Sequence, residues 1–160
     1  MTNQKTTERT YTIMEAAKLS GLPESTLRYY ETIGLIKPIR RDMSSKHRAY
    51  TDDDINLVIS VACLNATGMS IDAMRIYLGN RGGGAPVADE QLRLLTAQKD
   101  LLVAEAHYLK LRQRYVDQKI AYWGAVKAGN TQLANEVKLR AEVIARELKM
   151  PVENLTNEKG

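Results

Sequence analysis

The run Thr26-Leu27-Arg28-Tyr29-Tyr30-Glu31-Thr32-Ile33-Gly34 sets one guanidinium and two phenols on a short helical stretch that a glycine then ends. A guanidinium on an exposed helix face offers a planar fork of donors that fits a phosphate or the edge of guanine. Tyr29 and Tyr30 are adjacent, so a helix turns them to different sides; Tyr29 is expected outward beside Arg28, and Tyr30 inward. Ser25 and Thr26 lie near the helix start, where hydroxyls reach backbone or base edges, and Lys18 stands on the preceding segment. Further on, Arg41, Lys46, His47, Arg48 and Tyr50 bracket the polar turn Asp42-Met43-Ser44-Ser45-Lys46. These side chains suit phosphate positioning, with Tyr50 either joining them or packing beneath. Such groups bind a polyanion and make no bonds. No Ser/His/Asp set or carboxylate pair stands at catalytic spacing, and Gly82-Gly83-Gly84 lacks the Lys-Ser/Thr of a phosphate loop, so no enzyme and no cofactor are expected.

The elements that must hold these groups are legible from caps and periods. Thr12 with Glu15 forms a capping box, and Gly21 suits a left-handed helix end. Between them Ile13, Ala16, Ala17 and Leu19 make an apolar side. A second helix opens at Pro23 or Glu24 and stops at Gly34, with Leu35-Ile36 as an apolar plug before Pro38. Residues 39–50 read as two short strands. Thr51 caps a third helix with Asp52, Asp53 and Asp54 in its first turn, and its apolar positions are Ile55, Val58, Ile59, Ala62 and Ala66. Ser70 caps a fourth, Ile71 to Leu78, and Arg81-Gly82-Gly83-Gly84-Ala85-Pro86 then breaks regular structure. Helix, tight turn, helix, basic ribbon is the order of a winged helix-turn-helix, a fold that reads duplex DNA.

Charge follows this division. Residues 1–50 hold nine Lys/Arg and five Asp/Glu, whereas residues 51–160 hold 14 of each, so the whole excess of +4 lies with the helix-turn-helix pattern. There is no Phe and only one Trp, which leaves Leu, Ile, Val, Ala and Tyr to form the core. No apolar stretch has membrane-spanning length, the first residues lack the apolar heart of a signal peptide, and one cysteine makes no internal disulfide. A cytoplasmic location is expected.

From Val87 to Trp123 there is neither proline nor glycine, and Leu95, Leu102, Leu109, Val116 and Trp123 recur at every seventh position. The row three before each includes Leu92 and Ile120, interrupted by Lys99 and Gln113. A stripe this wide on one long helix needs a partner, either the chain's own last helix or a second copy. Self-association is the expectation, through Leu95, Leu102, Leu109, Val116, Ile120 and Trp123. Gly124, Gly129 and Asn130 end the element. Thr131 then caps a last helix to Met150, closed by Pro151, with the stripe Leu133, Val137, Ala141, Ile144 and Leu148.

Tyr11-Thr12-Ile13, Ala16-Ala17, Thr26-Leu27-Arg28-Tyr29-Tyr30, Gly34-Leu35, Lys37-Pro38, Arg41, Arg48-Ala49-Tyr50, Asp54 and Gly68-Met69-Ser70 occur in the order and spacing of a known group. On these residues the chain resembles the MerR family of bacterial transcription regulators. The resemblance implies a mainly α chain: a winged helix-turn-helix DNA-binding domain over residues 11–80, a linker at 81–87, a long antiparallel coiled-coil dimerisation helix at 88–124 and a C-terminal helix at 130–150. It implies a homodimer on double-stranded promoter DNA, the second helix of each protomer in the major groove. It also implies activation by bending and underwinding the promoter, so that RNA polymerase is reached only indirectly. Ser45-Lys46 stands where the family has Asn-Gly, so a longer or less regular wing tip is expected. His47 replaces a tyrosine and Pro23 a serine cap.

Cys63 has two readings. A free cysteine is often a small buried hydrophobe. Yet Cys63-Leu64-Asn65-Ala66-Thr67-Gly68-Met69-Ser70 is similar to the aldehyde- and nitrosative-stress sensors of the AdhR/NmlR type, which implies a thiol that reacts with an electrophile. A metal is not expected, because His47, His107 and one cysteine lack ligand spacing. A non-covalent effector at a dimer interface, or use of the same fold as a protein-interaction adaptor, are the alternatives.

Overall fold

The structure, a computed structural model, describes residues 8–157, with side chains described up to residue 149. The polar residues 1–7 and the end of the C-terminal tail lie outside the described residues. Six α-helices follow in order: α1 Ile13–Ser20, α2 Glu24–Thr32, α3 Asp52–Ala66, α4 Ile71–Gly79, α5 Ala88–Lys127 and α6 Thr131–Asn157. They form two compact units, Met1–Gln98 and Lys99–Gly160.

In the first unit the caps act as their residue types require. Thr12 and Glu15 form a reciprocal capping box at α1, and Gly21 closes it at φ 75°. Thr51 and Asp54 do the same for α3. Pro23 is the N-cap of α2 and supplies no side-chain bond. The core gathers Ala16, Leu27, Tyr30, Leu35, Ile36, Ile39, Tyr50, Ile55, Val58, Val61, Met69 and Met74. Each large apolar side chain so buried contributes about 1.5–3 kcal/mol. The Leu35-Ile36 plug is sealed in this core, which anchors the chain between α2 and the ribbon.

Several sequence expectations are corrected here. Residues 39–50 form no strands, only the isolated antiparallel bridges Tyr11↔Tyr50 and Arg41↔Arg48. Pairing is confined to a few bonds, such as Ala49 N–H to Arg40 O and Asp42 N–H to His47 O, both 2.8 Å, before the turn intervenes. The buried face of α3 is Ile55, Val58 and Val61, while Ile59 and Ala66 are exposed, because the inward direction is set by α1 and α4 packing rather than by the sum of apolar positions. Leu19 of α1 is likewise exposed. The triple-glycine segment lies within the first unit, with Gly82 and Gly84 at positive φ, and leads into a single 3-10 turn, Ala85–Val87. Gln98 of α5 donates to the Thr67 carbonyl at 2.6 Å, which ties the start of α5 to the end of α3.

In the second unit α5 runs through Gly124 to Lys127, since one glycine costs a packed helix only about 1 kcal/mol. Gly129, at φ 71°, makes the turn. Asn130, not Thr131, caps α6: its side-chain oxygen accepts from Leu133 N–H at 3.0 Å. Helix α6 continues past Pro151. Its buried row is Ala134, Val137, Ala141 and Ile144, with Leu133 turned outward. On α5 the sheltered positions are Tyr108, Leu111, Tyr115, Gln118, Tyr122 and Ala125, spaced three and four apart. Leu102, Leu109, Val116, Ile120 and Trp123 occupy the other side of the same helix and stay exposed, Trp123 at 65%. The seam therefore remains open, and the hairpin of α5 and α6 is closed by different residues. Among the described residues no helix is long and apolar enough to cross a membrane.

Candidate nucleic-acid interface

Helix α2 buries Leu27 and Tyr30 and turns Arg28 and Tyr29 outward. The split between the two tyrosines follows from the 100° step between neighbours on a helix. Their rings lie 6.0 Å apart and tilted, Tyr30 in the core and Tyr29 half out of it. Ser25 is exposed and Thr26 half-buried in the first turn, and Lys18 is exposed on α1.

The ribbon brings Arg41 and His47 out beside this helix, and Lys46 at its tip is exposed as they are. Together with Arg28 and Arg48, residues Arg41 and His47 line one groove of about 490 Å³, whose floor includes Tyr11, Thr12 and Met14 from the start of α1. The groove also takes in the carboxylates of Glu24, which holds Arg28, and of Asp42, so its cationic surplus is small and rests on Arg41.

The ribbon tip is built on Asp42. One carboxylate oxygen accepts from Ser44 N–H at 3.1 Å, Ser44 Oγ at 2.7 Å, Ser45 N–H at 2.7 Å and Ser45 Oγ at 2.9 Å. The Ser45 and Ser44 donors hold this carboxyl far below the usual carboxylate range. Lys46 then takes φ 60°, the left-handed conformation that glycine or asparagine adopts more cheaply. The tip is a longer, irregular turn, with Lys46 N–H donating to Asp42 O at 2.9 Å.

Two residues of the ribbon are withdrawn from its exposed face. Tyr50 is fully buried, its backbone paired with Tyr11 in both directions at 2.8 Å. Its hydroxyl finds no partner among the described residues, and burial raises its pKa. Of the two placements open to it, DNA contact and packing, Tyr50 takes the second: it is a core residue beneath the ribbon, bridged to Tyr11. Arg48 is half-buried and donates to Glu31 of α2 at 2.7 Å, so its guanidinium braces the ribbon instead of standing free.

Three partners were not singled out in sequence. Glu24 accepts from Arg28 at 2.9 Å, an i,i+4 pair whose spacing was visible. Glu31 holds Arg48. Arg75 of α4 donates to the Ile33 carbonyl at 2.8 Å, closing the C-terminus of α2 with a cation where the helix dipole favours one. No local sequence signal marks these last two, which join positions 17 and 42 residues apart. Cys63 is exposed on α3, so a place in the protomer core is excluded.

Comparison with known proteins agrees with this geometry. The profile described as MerR HTH family regulatory protein matches residues 11–80. The HTH-type transcriptional regulator AdhR of Bacillus subtilis is 34% identical over 105 residues, 66% of this chain, which spans just under two thirds (65%) of AdhR's length. An HTH-type transcriptional regulator of Haemophilus influenzae is 29% identical over 79% of this chain and 93% of its own length. Among solved structures, HiNmlR, a MerR family regulator lacking the sensor domain and bound to promoter DNA, is 28% identical with a TM-score of 0.64, covering 80% of this chain and 95% of that one. Helix-turn-helix geometry and ordered motifs converge, and residues 11–80 are a helix-turn-helix domain of the MerR family of regulatory proteins.

Proposed function

We propose that the protein is a DNA-binding transcription regulator that acts as a homodimer on promoter duplexes. The observation that carries this reading is the shared groove of Arg28 on α2 and Arg41 and His47 on the ribbon. Arg28 and Tyr29 meet base edges or phosphate in the major groove, Ser25, Thr26 and Lys18 flank them, and Arg41, Lys46 and His47 follow the backbone. The open seam of Leu102, Leu109, Val116, Ile120 and Trp123, continued upstream by Leu95, supports pairing with a second copy as an antiparallel coiled coil. The resemblance favours a dimer that distorts its promoter, with RNA polymerase benefiting only through the realigned DNA. The test is a mobility shift against a duplex selected from random sequence. Arg28→Ala is expected to weaken binding by about 1–3 kcal/mol with the fold intact. Binding equal to wild type sinks the assignment.

Cys63 is the proposed sensor of a reactive electrophile, favoured by its exposure on α3 and by the local resemblance to the AdhR/NmlR branch. Promoter opening by wild type and Cys63→Ala, each with and without formaldehyde, tests it. An identical response from both proteins removes Cys63 as the sensor.

A further inference from the structure

The ribbon tip carries one side chain that its surroundings do not explain. Met43 is 85% exposed, the highest value among the large apolar residues, at the apex of a turn otherwise made of Asp, Ser and Lys. The backbone beneath it is pinned: Asp42 accepts four hydrogen bonds from Ser44 and Ser45, and Lys46 is held at positive φ. Met43 is therefore presented at a set place without packing on anything among the described residues. Nitrogen donors stand behind it, since Arg41 and His47 line the groove shared with Arg28, and Lys46 is exposed on the same turn.

We propose that Met43 is an apolar contact to the minor groove of duplex DNA, lying against deoxyribose walls next to the major groove that α2 enters. This rests on the DNA-binding reading above. With Arg28 at base edges, Arg41 and His47 come next along the ribbon and meet the phosphate strand, and the far side of that strand is the minor groove. Its sugar walls are apolar and its mouth is electronegative, which suits a thioether flanked by cations. One oxygen of the Asp42 carboxylate is occupied by the four donors of Ser44 and Ser45.

The contact has a signature distinct from the cations around it. An apolar side chain releases no condensed counterions, so its loss lowers affinity without changing the salt dependence. The full chain is titrated at salt between about 50 and 200 mM with a duplex selected from random sequence by the wild-type protein. Met43→Ala and Met43→Ser are expected to bind about three- to tenfold more weakly at every salt concentration with an unchanged slope, and Met43→Leu to bind as wild type. Arg41→Ala in the same series is expected to reduce the slope by about one. Wild-type affinity in Met43→Ala, or a slope that changes with it, overturns the minor-groove contact. Arg28→Ala binding as wild type overturns the DNA reading itself, so the two failures are distinct.

Discussion

The guanidinium of Arg48 meets the carboxylate of Glu31 at 2.7 Å, both side chains under a fifth exposed, and so joins the basic ribbon to α2. Two elements that present cations to the same groove are thereby held at one spacing. Removing either partner leaves the other charge half-buried and unpaired. Glu31→Ala and Arg48→Ala are each expected to destabilise the protein by about 1–3 kcal/mol in urea unfolding, and the double variant by less than the sum. Additive losses would mean that the pair is not coupled.

Tyr50 offers the opposite outcome. Its buried hydroxyl has no partner among the described residues, so removal forfeits no hydrogen bond there. Tyr50→Phe is expected to leave stability within about 1 kcal/mol of wild type, or to raise it, with duplex affinity unchanged. A marked fall in affinity would restore Tyr50 as a DNA contact.

Lys46 combines backbone cost with charge. Lys46→Gly relieves the positive φ, offset in part by the greater freedom of glycine in the unfolded chain, for a net gain of up to about 1 kcal/mol. The same change removes a cation, so the salt slope of duplex binding is expected to fall by about 0.9. Thermal melting and salt titration read the two effects separately.

The two sides of α5 respond differently. Val116→Glu on the open seam is expected to abolish self-association in sedimentation while helix content persists. Leu111→Ala, at a buried position, is expected to cost about 2–5 kcal/mol. Dimers that survive Val116→Glu would place the interface elsewhere.

Acid loosens the ribbon tip late. The Asp42 carboxyl is depressed by its serine donors, so the stabilisation is complete above the ordinary carboxylate pKa and is lost as pH falls through the lower folded value. Glu15, held down mainly by the Thr12 backbone N–H, behaves alike at the α1 cap. Amide resonances of Ser44 and Ser45 should keep native shifts to well below pH 4 and then move, whereas Asp42→Asn should not show this acid step. A step at the ordinary carboxylate pKa would deny the hydrogen-bonded tip.

Local chemistry determined much of this protein in advance. Thr12-Glu15 and Thr51-Asp54 specified helix starts, Gly21 and Gly34 specified ends, and the one-residue offset of Tyr29 and Tyr30 sent one ring out and one in. Each of these depends on bonds or angles within a single turn. Tertiary structure decided what depends on distant partners. Packing against α1 and α4 chose Val61 over Ile59 for the core, and the bridge to Tyr11 took Tyr50 inside. Glu31 claimed Arg48 across 17 residues. On α5 two apolar stripes share one helix, and periodicity cannot rank equivalent faces. Only the hairpin with α6 decided that Leu111 and Ala125 are covered while Leu109, Val116 and Trp123 remain open.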